Sequence, residues 1–127
     1  MNVWFVAAAV VAAVALGVHL FLGSRLVVRP LLEAAGLDRV PRWLNFMTWH
    51  MVSMSLAFTA GGYGWAAWRK DGAVLALFLT FQAVGFLAVA LYAAGRGRLP
   101  AWRLPPVILF AVITILAVLG LALPATP

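Results

Sequence analysis

The chain has no cysteine and only three acidic residues, Glu33, Asp38 and Asp71. The first absence excludes disulfides, thiolate metal centres and cysteine nucleophiles. The second leaves a Ser/His/Asp hydrolase without its acid, because all three carboxylates fall in segments that read as loops. Charge of either sign is scarce: 9% of the 127 residues carry it and 66% are hydrophobic, whereas about a quarter of a soluble domain is charged. A water-soluble globule is thereby excluded. The sequence also lacks a Gly-rich phosphate loop and an H-E-x-x-H helix.

The charges that are present lie in three windows, 25–42, 69–71 and 96–103. Around them run four uncharged stretches, 1–24, 43–68, 72–95 and 104–127. Each exceeds the roughly 20 residues that carry a helix across about 30 Å of hydrocarbon. A backbone in lipid must satisfy its own polar groups, which a helix does within one segment. The expected fold is an all-α membrane protein, with four antiparallel transmembrane helices in an up-down bundle. The spans are placed at about 3–24, 43–68, 73–95 and 105–123, and residues 1–127 form one domain. Pro41, Pro100, Pro105 and Pro106 fall at helix starts, where a missing N–H costs nothing, and Pro124 closes the fourth span. Trp4, Trp43, Trp65, Trp68 and Trp102 sit near span ends, as an interfacial belt does. The first stretch lacks a basic n-region and exceeds the usual apolar run of a signal peptide, so it reads as a retained span.

Orientation follows from the basic residues. Loops one and three hold Arg25, Arg29, Arg39, Arg42, Arg96, Arg98 and Arg103, while loop two holds only Arg69 and Lys70. The positive-inside rule assigns loops 25–42 and 96–103 to the cytoplasm and both termini to the outside of a bacterial inner membrane. The net charge of +6 is therefore topological, and no nucleic-acid partner is expected. Within loop one, Pro30 can open a helical turn and Gly36 can end it. Leu31, Leu32 and Leu37 beside Arg29 and Arg39 fit either a short surface helix or an ordinary basic linker.

With no charge in the spans, the chemistry-bearing groups are His19, His50, Gln82, Tyr92 and a few hydroxyls and amides. His19 precedes Arg25 by six residues and His50 follows Arg42 by eight, which places them about 9 and 12 Å from one boundary. Ala8, Ala12, Ala15, His19 and Gly23 share one side of the first helix, and His50, Ser53, Ala57, Gly61 and Gly64 one side of the second. Small residues mark close helix approaches in membranes, so these sides are expected to pack and to bring the two histidines together. Gln82, Gly85, Val89 and Tyr92 form a stripe on the third helix. Asn45, Thr48, Ser55 and Thr59 lie on the opposite face of the second, toward another helix or another subunit.

Several chemistries suit such a pair. Each imidazole can simply hydrogen-bond across helices. His19 and His50 can instead ligate a haem b axially or hold a smaller metal, with Ser53, Gln82, Tyr92 and Arg25 in support. M-T-W-H-M-V-S-M (47–54) sets Met47, Met51 and Met54 beside His50, a pattern that suits Cu(I) as well as plain core packing. A proton relay through His19, His50 and Tyr92 has no membrane carboxylate to partner it. The same lack separates the chain from small multidrug exporters of similar size.

H-L-F-L-G-S-R (19–25), followed by W-H (49–50) in the next span, resembles a group of bacterial four-span membrane proteins of uncharacterised activity, with an H-x3-G-E-R pattern and a second-span W-H. The resemblance covers mainly the first half of the chain. It highlights His19, Gly23, Arg25, Trp49 and His50, and Ser24 stands where that group has glutamate. The expectation is a non-enzymatic inner-membrane protein acting through protein contacts, as a homo-oligomer or a subunit of a larger complex in the lipid bilayer. The alternative is a haem- or metal-binding membrane protein, and a small transporter ranks third.

Overall fold

The computed structural model describes residues 1–123, so Pro124, placed above at the close of the fourth span, lies outside the described residues. These residues form four helices: α1 (Val3–Glu33), α2 (Arg39–Trp68), α3 (Ala73–Arg96) and α4 (Pro105–Ala122). A 3-10 turn, Ala101–Arg103, leads into α4. Three helices, α1, α3 and α4, are long and apolar enough to cross a membrane. Helix α2 is long enough, but its Asn, His, Ser, Thr and Gly residues lower its hydropathy. Large apolar side chains are exposed on every helix, among them Phe21, Phe58, Phe81 and Ile115. Apolar surface on this scale is the mark of a membrane protein.

The helices close into a ring, each packing on its sequence neighbour and α1 on α4. Asn2 fastens one end of that ring. Its side-chain oxygen accepts from the N–H groups of Trp4 and Phe5, capping α1. Its backbone N–H donates to Ala67 O at 2.8 Å, and its Nδ2 donates to Gly120 O at 2.7 Å. The end of α2 and the end of α4 are thus both tied to the start of α1. Gly120 is needed there, because a Cβ at that position would collide with the Phe5 ring and come within 3.2 Å of Trp4 Cβ.

The core forms where these helices meet. Ala8, Ala12 and Ala15 are buried, so the small-residue stripe of α1 packs as expected. The faces of the next two helices differ from expectation. On α2 the buried set is Ser53, Leu56, Thr59, Tyr63, Ala66 and Ala67, while His50, Ala57 and Gly61 are exposed. On α3 it is Ala76, Leu79, Thr80, Ala83 and Ala94, while Gly85, Val89 and Tyr92 are exposed. The reason is polar pairing. Thr80 Oγ1 donates to Ala76 O at 2.7 Å, so its remaining capacity accepts the Tyr63 hydroxyl at 3.2 Å. Thr59 Oγ1 likewise donates to Ser55 O and accepts from Gln82 Nε2 at 3.1 Å. Interhelical polar contacts of this kind contribute about 0.6–2 kcal/mol each, and lipid offers them no substitute. They set the rotation of α2 and α3 against the pull of the small residues.

The first loop is also shorter than expected. The first span continues as helix to Glu33, and α2 begins at Arg39. Arg42 Nη2 donates to Ala34 O at 2.7 Å and Leu37 O at 2.8 Å, drawing the connecting turn onto α2.

Candidate functional site

Helix α1 changes character in its second half. Val3–Gly17 is α-helical, Val18–Val28 is a π-helix and Arg29–Glu33 returns to α. A π segment is rare, is normally confined to a single turn, and recurs at functional sites. Here it spans 11 residues and carries the H-L-F-L-G-S-R motif.

That segment packs on the first half of α2 through two rings. The His19 imidazole lies flat on the Trp49 indole, with centroids 3.9 Å apart and planes 13° from parallel. Gly23 supplies the second support, since a Cβ there would come within 2.6 and 2.7 Å of indole Cη2 and Cζ2. The indole therefore sits between an imidazole face and bare backbone one turn along. His19 Nε2 lies 3.1 Å from Trp49 O. A carbonyl only accepts, so Nε2 carries the proton and donates. The same oxygen accepts from Ser53 Oγ at 3.2 Å. In the neutral imidazole this tautomer leaves Nδ1 as a lone pair. Trp49 Nε1 is buried and has no partner among the described residues, which costs about 1–3 kcal/mol.

The stack forms one wall of a cavity of about 530 Å³. The π segment contributes His19, Leu22 and Leu26, α2 contributes Thr48, Trp49 and Val52, and the start of α4 contributes Pro105 and Leu109. Nearly all the lining is apolar. Thr48 and Asn45, which also border the cavity, each donate one hydrogen to the carbonyl four residues back, Leu44 O and Pro41 O, and their oxygens remain free to accept.

The remaining candidates lie apart from it. His50 is exposed, packs edge-on against Phe46 with centroids 4.5 Å apart, and does not line the cavity. Successive helical residues point about 100° apart, so with Trp49 facing α1 its neighbour is turned aside. No hydrogen bond or stack joins the two imidazoles among the described residues. Ser53 supports Trp49 through its carbonyl, Gln82 serves Thr59, and Tyr92 is 70% exposed on α3. Arg25 is exposed on the π segment.

Sequence reasoning named Trp49 only as part of a motif and did not single out Asn2 or Tyr63. An Asn before an apolar run is a recognisable cap, and a Tyr within a span is a polar group in need of a partner; both signals were present.

Between α2 and α3, Arg69 Nε pairs with Asp71 Oδ1 at 3.0 Å. The hydrogen bond from Arg69 holds the Asp71 carboxyl below its ordinary range. Neither group is near the cavity, and no acid borders it.

A scan against protein-family models finds no match, and searches of curated proteins and of solved structures find none either.

Proposed function

We propose that this chain is a small non-enzymatic integral protein of the bacterial inner membrane that works through protein contacts, as a homo-oligomer or as a subunit of a larger complex. Its four helices cross the bilayer antiparallel in up-down order, with loops 25–42 and 96–103 in the cytoplasm and both termini outside.

The observation that carries this reading is the outer face of α2. Met47, His50, Met51, Met54 and Phe58 follow one another at helical spacing, and all five are exposed. His50 makes no hydrogen bond to a described residue. A polar side chain directed at lipid is expensive, and such residues in spans ordinarily meet a partner. Asn45, Thr48 and Thr59, by contrast, each bond the carbonyl four residues back. Methionines beside the histidine give that partner an adaptable apolar surface. It is also α2, alone of the four, that falls short in hydropathy for a lipid-facing span.

The test is native mass spectrometry of gently solubilised protein, with His50→Leu as the comparison. The parent is expected to retain a second copy or a larger assembly, and the variant to lose it. A lone monomer for both, under conditions that preserve other membrane complexes, overturns the proposal.

A further inference from the structure

We infer that the groove beside the His19–Trp49 stack seats one acyl chain of an anionic phospholipid, with the lipid phosphate held between Arg25 and Arg103. Given the bilayer crossing proposed above, that lipid comes from the leaflet on the side of loops 25–42 and 96–103.

The groove is a gap between helices. Val3–Gly17 packs along α4, whereas the π segment packs on α2 instead. Asn2 ties α1 to α4 at the far end, so the two helices part toward loops 25–42 and 96–103. On α2 the lining runs from Asn45 to Leu56, a length of about 16 Å. The hydrocarbon of a bilayer is about 30 Å thick, so the groove is one leaflet deep.

Polarity changes along that length in the order of a phospholipid. At the deep end are Ala15, Leu56 and Phe110, all buried and apolar. Leu22, Val52 and Leu109 continue the wall beside the stack. Asn45 and Thr48 come next, toward the loops. Asn45 gives one Nδ2 hydrogen to Pro41 O, and its second is available to an ester oxygen. The cations follow. Arg25 directly precedes Leu26 and Arg103 directly precedes Leu104, and both leucines line the groove. Neither arginine joins an ion pair among the described residues, whereas Arg29 and Arg69 each meet a carboxylate. A guanidinium fork matches phosphate oxygens, and its stem can lie along apolar surface. A lipid of no net charge brings its own cation with the phosphate. A second copy, docking this mouth against its own, would set arginine against arginine.

The experiment uses full-length protein in nanodiscs holding a trace of phosphatidylglycerol with a diazirine near the end of one acyl chain. Adducts formed on irradiation are mapped by peptide mass spectrometry, with unlabelled phosphatidylglycerol or phosphatidylcholine of the same chains as competitor. Adducts are expected on the buried Leu56 and Phe110. Phosphatidylglycerol should suppress them at about 5- to 30-fold lower mole fraction than phosphatidylcholine, the factor that one or two arginines supply at an anionic lipid. Labelling of the exposed Phe81 and Ile115 reports bulk lipid, and both competitors should reduce it alike. Arg25→Gln combined with Arg103→Gln should erase the difference between the lipids, and Leu109→Trp should remove the adducts from Leu56 and Phe110. Equal competition in the parent means an acyl-chain groove without a phosphate site. A preference that survives the arginine substitutions, or adducts that survive Leu109→Trp, place the lipid elsewhere, and an unlabelled Leu56 and Phe110 mean that no chain enters. Each of these outcomes overturns the inference. His50→Leu, which tests the oligomer reading on a different face of α2, should leave the adducts unchanged. Failure of the crossing itself would appear separately, as loss of labelling at Phe81 and Ile115.

Discussion

His19 is joined to Trp49 twice, by a ring stack at 3.9 Å and by a hydrogen bond from Nε2 to the backbone carbonyl at 3.1 Å. The second contact holds the imidazole in one tautomer and the first holds its plane. Together they fix the π segment of α1 to α2 at the level of the cavity.

Gly23 is the third member of this arrangement, and its substitution should be costly. A methyl at residue 23 meets the indole, so Gly23→Ala is expected to lose about 1–3 kcal/mol through forced displacement of Trp49. Gly17, with nothing within 4 Å of a built Cβ, is the control: Gly17→Ala should be neutral or gain up to about 1 kcal/mol from helix propensity. Thermal unfolding in mild detergent reads both, and equal effects would show that the close approach at Gly23 is unimportant.

The two histidines should behave independently. His19→Ala removes the stack and a hydrogen bond and is expected to destabilise the chain by about 1–2 kcal/mol. His50→Ala should change unfolding of the separated chain by less than about 0.5 kcal/mol while weakening association. With no shared partner, the double variant should equal the sum within about 0.5 kcal/mol. A coupling well above that value would mean the imidazoles form one unit after all.

Asn2 offers a separable pair of contacts. Asn2→Ala loses the cap, worth about 0.5–2 kcal/mol, together with the tie to α4. Asn2→Asp keeps the acceptor for Trp4 and Phe5 but replaces the donor that reaches Gly120 O with a carboxylate oxygen. Both variants should unfold more readily than the parent. An Asp variant as stable as the parent would show that the bond to Gly120 contributes nothing.

How far the sequence reveals this fold depends on the helix. The stripe Ala8, Ala12, Ala15 was legible because small residues at regular spacing have one use in a membrane, and all three are buried. The rotations of α2 and α3 were not, because helices that are apolar all round carry little amphipathic signal. The readable clue was pairing: Tyr63 with Thr80 and Thr59 with Gln82. On α2 it is Trp49, the neighbour of His50, that stacks on His19 of α1. The π turns of Val18–Val28 have no compositional signature, so the extension of α1 through Arg25 to Glu33 stayed hidden.

Topology can be tested with single thiols, because the native chain contains none. A cysteine at Asp71 should react with an impermeant maleimide in intact cells, and one at Asp38 only after permeabilisation. The reverse pattern would invert the orientation derived from the basic loops.

Asp71 also gives a pH dependence of known sign. Its folded-state titration lies below the ordinary aspartate range because Arg69 donates to the carboxylate. Its contribution to stability is therefore complete above the unfolded-state value and is lost as pH falls through the lower, folded-state one. Both partners are solvent-exposed, so the effect is small. Asp71→Asn should abolish that acid-limb dependence and leave unfolding near neutral pH nearly unchanged, as measured by parallel melts from pH 7 downward.

The bond between Asn2 and Gly120 has a consequence for biogenesis. It joins residues 118 positions apart, and the same pairing of α1 with α4 brings Leu104, Pro105 and Leu109 to the cavity wall. During synthesis α1 and α2 can stack His19 on Trp49 long before α4 has left the ribosome. At that stage the indole and the π segment lack the wall that α4 supplies. The α4 side of the groove is therefore complete only once the last helix has packed on the first, so the groove belongs to the finished bundle and not to its first two helices.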